Sequence, residues 1–585
     1  MAKRIKRVFH VVLIKPSHYD DEGYVIQWFR SAIPSNTLAA LNGLALDCAA
    51  HGVLSDGVEV SISTYDENNT RIRPKKIMKR LEKSGGIGLV CLVGVQSNQF
   101  PRAVDIAREF RAAGVQVCIG GFHVSGCLSM LPETPPDLVE AMDLGISLFA
   151  GEAEDRFGQI LRDAFRLELK PLYNFLDDLP GLEGTPAPIL PAARIERTAG
   201  AMTSFDAGRG CPFQCSFCTI INVQGRKSRC RNADDVEKII RANLEQGIKS
   251  FFITDDNFAR NEEWESIFDR LIQLRGEEGV SVKFTIQVDT LCHKIPHFIE
   301  KAGRAGVRRV FIGLESINPA ALAAAKKRQN RITEYRQMLQ DWCKVGAMTC
   351  AGYIIGFPTD TSESIVRDIK IIQHELPVDL LEFFILTPLP GSEDHKVLYD
   401  KGVWMDPDMN KYDSAHVTTA HPNMSQEEWN CAYRLAWETY YTPDHIETVM
   451  RRAGANGISI GKIMFLLIWF YGCIKFEKVH PLDGGYLRLK YHRDRRRGLP
   501  RENPVAFYLR RARDIFRSQA SFLFLVWKYD RIRRKIKNDQ GARGYTDQAL
   551  SPVSNLELVS LELFTQTDSA RSAAEKKRLK IAAGY

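Results

Sequence analysis

Two separate series of short apolar runs, each run followed by a helix-patterned stretch, constrain the architecture of this 585-residue chain more than any other feature. In the first series, over residues 8–155, VFHVVLIKPS, VEVSISTYDEN, GLVCLVGVQSN, VQVCIGGFHVS and DLGISLFAGEAED read as strands. SNTLAALNGLALDCAAHGV, RPKKIMKRLEKSG and FPRAVDIAREFRAAG read as the amphipathic helices between them. Strands alternating with helices of this length predict an α/β fold with a doubly wound parallel sheet. Ligands of such sheets sit beyond the carboxyl ends of the strands. Here those ends fall at residues 15–18, 97–99, 120–123 and 151–152.

The second series starts at residue 203 and runs to about 391, with strands in TSFDAGRG, SFFITDDNF, VKFTIQVDT, RRVFIGLES, MTCAGYIIGFP and LLEFFILTPLPG. Six strands are too few to close an eightfold barrel, so a partial (βα)6 barrel is expected. Residues 171–200 are Pro-rich without a sustained period and read as a linker. After 395 the pattern is helical. Ser425 with Glu428 three residues on forms a capping box, and the helix it opens carries Trp429, Tyr433, Trp437, Tyr440 and Tyr441 at helical spacing. That stripe reads as core packed on the open side of the barrel. The expected division is therefore 1–170, a linker at 171–200, 201–395, a helical extension at 396–455, an apolar and basic segment at 456–540, and a polar, unordered tail at 541–585.

Thirteen cysteines, an odd number scattered over a long chain, do not make a secreted disulfide framework. A reducing cytoplasm fits better. The opening MAKRIKRVFHVVLIKPS has a basic lead, but its apolar stretch stops at Lys15 without a small-residue cleavage site, so it reads as a strand rather than a signal peptide. The net charge of +8 is unevenly spread. Residues 488–537 hold 17 Lys and Arg against 4 Asp and Glu, an excess of 13 that leaves the rest of the chain at −5. Any argument for an anionic partner therefore belongs to that late segment. It follows the twelve-residue apolar run from Ile463 to Ile474, too short to span a bilayer. Together they suggest peripheral contact with the inner face of an anionic membrane, or a buried helix with a solvated charged face. No nucleic-acid recognition module accompanies the arginines.

The chemistry is concentrated in GRGCPFQCSFCTIINVQG, where Cys211, Cys215 and Cys218 are spaced C-x3-C-x2-C. Three thiolates on one short loop can each take a different iron of a [4Fe–4S] cluster and leave the fourth iron open. The loop follows a strand, at the carboxyl mouth where barrel chemistry is done. Gly208 and Gly210 would allow close approach of backbone to an inorganic core. The alternative is a zinc site, with Cys230 as the nearest fourth ligand.

The triplet, with Phe217 before its third cysteine, resembles the signature of the radical S-adenosylmethionine (SAM) superfamily. By that resemblance Asp255, Asp256 and Asn257 in FFITDDNF stand where the family contacts the methionyl amine of S-adenosylmethionine. Gln287 and Asp289 in TIQVDT stand at the ribose, Glu315 in FIGLESIN at the next strand end, and Gly356 with Glu363 in YIIGFPTDTSES at the adenine. The acidic pair departs from the usual Gly-Gly-Glu form. The first domain, with GGFHV and LFAGEAED, resembles the Rossmann-like cobalamin-binding domain of one large subclass of these enzymes. Cobalamin would meet Ser97, Gly120, Gly121, His123, Gly151 and Glu152. The Asp-x-His-x-x-Gly motif that supplies a histidine to cobalt is missing, leaving His18 and His123 as the candidates.

The resemblance implies an enzyme that uses a [4Fe–4S] cluster, S-adenosylmethionine and cobalamin, reduced by an external one-electron donor of flavodoxin or ferredoxin type. A 5′-deoxyadenosyl radical would modify an unactivated carbon, by methyl transfer to a hydrophobic, lipid-like or tetrapyrrole-like small molecule. The alternatives are a cyclase or oxidoreductase of a porphyrin-type substrate, a tRNA-modifying methylthiotransferase, and a cobalamin sensor whose cluster is structural. The methylthiotransferase would need three more cluster cysteines in the first domain, and Cys48, Cys91, Cys118 and Cys127 are too irregularly placed to supply them.

Overall fold

The computed structural model describes residues 7–55, 57–83, 85–554 and 557–583. The first series forms one parallel sheet from β1 (Arg7–Lys15), β2 (Val58–Asp66), β3 (Gly88–Leu92), β4 (Gln116–Gly120), β5 (Ser147–Ala150) and β6 (Leu172–Asn174), in the order β2-β1-β3-β4-β5-β6. β3 and β5 are buried along their whole length, as strands covered by helices on both faces must be. β6 lies in the stretch expected to be linker. It pairs with β5 through three residues and extends the sheet, so the first domain runs past residue 170. The run VQVCIGGFHVS is a strand only to Gly120. Gly121, at φ 149°, turns the chain so close to Val95 that a Cβ would lie 2.2 Å from the Val95 nitrogen, and Phe122–Met130 is helical.

The second series forms a second parallel sheet: β7 (Met202–Phe205), β8 (Ser250–Ile253), β9 (Lys283–Val288), β10 (Val307–Glu315), β11 (Met348–Ile355) and β12 (Leu380–Ile385). Its strands follow sequence order without a crossover and its two edges do not pair, which is the partial (βα)6 barrel. The helix Gln426–Tyr440 packs on it near β11 and β12. Tyr440 and Tyr441 donate their hydroxyls to the carbonyls of Val378 (2.9 Å) and Leu381 (3.0 Å), and the Trp429 indole donates to Ile355 (3.0 Å). The aromatic stripe is core, with a hydrogen-bond partner for the polar end of three of its rings.

The C-terminal region departs from its expected roles. The apolar run within Ile460–Gly472 is no membrane anchor: Ile463, Leu466, Leu467, Ile468 and Phe470 are buried. A helix apolar on all sides is a core helix. Much of the basic segment ties the chain ends together instead of standing in solvent. Arg488 pairs with Asp20 (2.8 Å), Asp494 with Arg71 (2.6 and 2.7 Å) and Arg496 with Asp408 (2.6 and 2.8 Å). Gly485–Leu489 pairs antiparallel with Gln27–Ser31. The tail expected to be unordered is helical over Glu557–Ser560, Glu562–Thr565 and Asp568–Ala582, and it buries Leu563, Phe564 and Ala570. Glu375 accepts the backbone N–H groups of Glu562 (2.8 Å) and Leu563 (2.9 Å), capping that docking. Among the described residues no helix is long and apolar enough to cross a membrane.

Candidate cofactor site

The triplet loop begins where β7 ends. Gly208–Arg209 pairs antiparallel with Arg229–Cys230, which closes the loop at its base. Cys230 is thereby held in a ladder, its sulfur 3.3 Å from Ser228 Oγ. Cys211, Cys215 and Cys218 instead lie close enough to perturb one another electrostatically. Desolvation pushes the Cys218 thiol up to about 12, with Asp256 adding to it, so a thiolate there needs a cation. Among the described residues no group of three or more His, Cys, Asp or Glu is arranged to hold one metal ion. Three thiols on one loop suit a cluster in which each thiolate serves its own iron. Gly208 and Gly210 have a different reason from the one expected. A Cβ on Gly210 would lie 2.5 Å from the Lys227 carbonyl, and one on Gly208 would lie 2.8 Å from the Asn261 amide. Their neighbours are protein atoms.

The residues expected around S-adenosylmethionine divide into two sets. Asp255 is a brace: it accepts from the Ala207 N–H (2.7 Å) and the Asn261 amide (2.8 Å), pinning the start of the triplet loop to the end of β8. Gln287 donates to the Asp255 carbonyl (3.2 Å). Asn257 donates to Asp289 (2.9 Å), which Arg260 holds at 2.6 and 3.0 Å. Asp256 differs. No described side chain contacts its carboxylate, it perturbs Cys211 and Cys218, and burial followed by Asp255 raises its pKa to about 7. A half-buried carboxylate with no ion pair to a described residue, beside the three thiols, fits an ammonium group such as the methionyl amine. Glu315, at φ 62°, pairs with buried Lys327, whose ammonium also lies 5.5 Å from the Phe217 ring centroid. Gly356 donates its N–H to Asp360 (2.9 Å), at φ 108° under Trp429. Glu363 is exposed, in the first turn of the helix Ser362–Glu375.

At the end of the first sheet, the Glu152 carboxylate is already engaged. Arg209 donates to Glu152 (2.7 Å), Glu154 (2.7 and 3.0 Å) and Asp206 (2.9 Å), while Arg229 donates to Glu152 (2.9 Å). All three carboxylates are buried. This network clamps the β5 end of the first domain to the base of the triplet loop. A second clamp is steric: a Cβ on Gly126 would lie 2.2 Å from the Pro390 carbonyl. The glycines expected to meet cobalamin face protein, since Cβ atoms on Gly120, Gly121 and Gly151 would meet Phe149, Val95 and Phe175. His123 has both ring nitrogens occupied, by Ser97 (3.1 Å) and Asp137 (2.9 Å). His18 is buried with no ring hydrogen bond among the described residues, and it lines a cavity of about 530 Å³ together with Tyr19, His416, His480 and Arg511. His480 stacks on Phe384 at 4.8 Å, and Phe384 shares an apolar cluster with Phe217 between the second and third cysteines.

Four positions were not singled out from sequence: Arg209, Arg260, Lys327 and Gln329. Gln329 is buried and donates an amide N–H to Cys215 Sγ at 3.3 Å. A signal existed for two of them. The polar run KKRQN follows the apolar ALAAA directly after β10, on the same carboxyl mouth as the triplet.

The radical SAM superfamily model matches residues 207–372. The chain is 28% identical over 354 residues to bacteriochlorophyllide d C-8(2)-methyltransferase of Chlorobaculum tepidum, covering 56% of this chain and 72% of that one. It is 26% identical over 295 residues to hopanoid C-2 methylase of Rhodopseudomonas palustris, covering 49% of this chain and only 53% of that one. The fold is shared with the radical S-adenosylmethionine methyltransferase TsrM of Kitasatospora setae, solved with cobalamin and a [4Fe–4S] cluster (TM-score 0.56, 14% identity, 79% of this chain and 99% of that one). It is also shared with the cobalamin-dependent radical enzyme OxsB, solved with aqua-cobalamin (TM-score 0.50, 14% identity, 93% of this chain and 83% of that one).

Proposed function

The chain carries a radical SAM domain, and from that premise we propose that it is a cobalamin-dependent methyltransferase acting on an unactivated carbon of a hydrophobic small molecule. The observation that carries the reading is the junction. A C-x3-C-x2-C loop with no fourth cysteine in its triplet is clamped by Arg209 to the strand ends of a Rossmann-like domain. Cys211, Cys215 and Cys218 are the cluster ligands, and Asp256 faces the amine of S-adenosylmethionine. Asp255, Asn257, Gln287, Asp289 and Arg260 hold the strand ends in register around them. Lys327, fixed by Glu315, sets a positive charge beside Cys215 and Cys218. Bound together, the cluster, S-adenosylmethionine and cobalamin supply one-electron reduction, a hydrogen-abstracting radical and a transferable methyl group. The protein's share is to keep these groups aligned and dry. By the family resemblance, cobalamin would lie over the strand ends that carry Ser97, Gly120, Gly121, His123 and Gly151, whose side-chain faces already meet protein. His123, with both nitrogens occupied, orients its helix rather than ligating cobalt, and His18 stands apart from that set.

The relatives' names support a hydrophobic substrate of lipid or tetrapyrrole type. The electron comes from an external one-electron donor. A methylthiotransferase would need three more cluster cysteines on a loop of the first domain, whereas Cys48, Cys91, Cys118 and Cys127 are buried in its helices and strands, Cys91 and Cys118 as cross-strand neighbours. The test is turnover of anaerobically reconstituted protein with methyl-labelled S-adenosylmethionine, a one-electron reductant and a panel of hydrophobic substrates. A labelled product heavier by one methyl group supports the reading. A product dehydrogenated or cyclised without label would replace it with the oxidoreductase alternative.

A further inference from the structure

The helix Pro504–Asn538 is 35 residues long and has two apolar faces. One, carrying Phe507, Leu525, Tyr529 and Ile536, is buried against the body of the protein. The other carries Val505, Leu509, Phe516, Leu523 and Trp527, spaced four, seven, seven and four residues apart, and so in one stripe. These side chains are 68, 69, 75, 68 and 55% exposed, and no described residue covers them. Leu523 and Leu525 are two residues apart and therefore on opposite sides of the helix. The stripe runs over 22 residue steps, about 33 Å at 1.5 Å per residue. Cations flank it: Arg517, Lys528 and Arg531 make no ion pair with a described residue, and Arg531 lies 5.0 Å over the Trp527 ring. The acids on this helix are Asp514 and Asp530, and Asp530 is occupied by Arg533 and Arg534.

We propose that this outer face of Pro504–Asn538 docks the protein on an anionic lipid bilayer, with the stripe lying in the boundary between headgroups and acyl chains. Apolar burial and attraction of basic side chains to anionic lipids are each weak and add on such a helix. The charge decides between occupants. A second copy would set unpaired arginines and lysines against their own kind, with both acids of the helix, Asp514 and Asp530, already paired to arginines on it, whereas an anionic headgroup layer complements them. The cationic flank has a further use. Arg510, Arg511, Arg513 and Arg517 line the 530 Å³ cavity that also holds His18 and His480, so docking sets that cavity beside the headgroups.

The contact is distinct from the buried run at Ile463 and independent of which reaction the cofactors perform, because vesicle binding reads it without turnover. The full chain is floated with vesicles of phosphatidylcholine alone and of phosphatidylcholine with about a third phosphatidylglycerol, at low and high salt. The parent is expected to float with the anionic vesicles and to be released as salt screens the charges within about 8 Å at physiological ionic strength. The Leu509→Gln, Phe516→Gln, Leu523→Gln, Trp527→Gln variant alters exposed positions only, and is expected to keep its melting temperature and bind at least about tenfold more weakly. The Arg517→Gln, Lys528→Gln, Arg531→Gln variant removes no side chain of the stripe and is expected to lose most of the preference for anionic vesicles. Failure of the parent to float with anionic vesicles at low salt overturns the proposal. So does a parent that is dimeric in gel filtration and becomes monomeric in the glutamine variant without a change in vesicle binding.

Discussion

Replacing Arg209 with Met leaves a hole in the charge balance of the domain junction that the structure makes calculable. Glu152 keeps Arg229, and Asp206 keeps the Asn36 amide at 3.2 Å. Glu154 loses its one cation while remaining buried. Removing one partner of a buried pair typically costs about 3–5 kcal/mol, and that range applies here because Arg209 is itself largely buried. The pH dependence carries a sign. Burial alone would raise the Glu154 and Asp206 pKa values, but Arg209 at Glu154, and Arg209 with Arg231 and Asn36 at Asp206, hold both below the ordinary carboxylate range. In the parent their stabilisation is complete above that range, about pH 4–4.5, and fades as pH falls toward the lowered native values. In Arg209→Met burial acts unopposed, the Glu154 pKa rises, and the folded variant regains stability as the group protonates on acidification. The deficit of the variant is therefore largest near pH 7–8 and narrows toward pH 5. Thermal melts of anaerobic protein at pH 7.5 and 5.0 measure it, with a shift of roughly 2–4 °C expected at the higher pH. Methyl transfer is expected to fall further than cluster content, because the clamp aligns two domains rather than ligating iron. A deficit under 1 kcal/mol, or one equal at both pH values, would refute the reasoning.

Two other substitutions follow from contacts at the site. Gln329→Leu removes the N–H donated to Cys215; a net hydrogen bond of about 0.5–1.5 kcal/mol corresponds to roughly 20–60 mV for a one-electron couple, so the cluster midpoint is expected to drop by that amount in a redox titration. Gly356→Ala places a Cβ 2.0 Å from the Trp429 ring at φ 108° and is expected to cost about 2–4 kcal/mol in thermal melts, whereas Gly346→Ala, at φ 69° with nothing within 4 Å, is expected to cost about 1–2 kcal/mol. Equal losses at the two glycines would mean that the Trp429 contact contributes nothing.

The strands and the triplet were legible because their signals are local. Buried parallel strands write themselves as unbroken apolar runs such as VVLI and LVCLV, and three cysteines on one loop need no tertiary information. What was hidden depends on partners distant in sequence. Glu152 reads as a free strand-end acid until Arg209 and Arg229 are brought against it. Asp255, Asp256 and Asn257 read alike, and only the fold separates the brace and the Asn257–Asp289 link from the open carboxylate. The helix Ile460–Gly472 and the stripe of Pro504–Asn538 show the same difficulty in reverse. Composition drew attention to the more apolar of the two, while burial placed it in the core and left the more polar helix with the exposed apolar face. The tail shows little periodicity, yet Glu375 and Arg336 hold its short helices in place.

The central claim is that Cys211, Cys215 and Cys218, and not Cys230, hold a redox-active cluster. The most direct measurement is iron and sulfide content after anaerobic reconstitution, together with 5′-deoxyadenosine release from S-adenosylmethionine under a one-electron reductant. The parent and Cys230→Ala are expected to hold about four irons and four sulfides and to release 5′-deoxyadenosine, while the triple Cys211→Ala, Cys215→Ala, Cys218→Ala variant holds no cluster and releases none. A cluster retained in the triple variant, or lost in Cys230→Ala, would contradict the account.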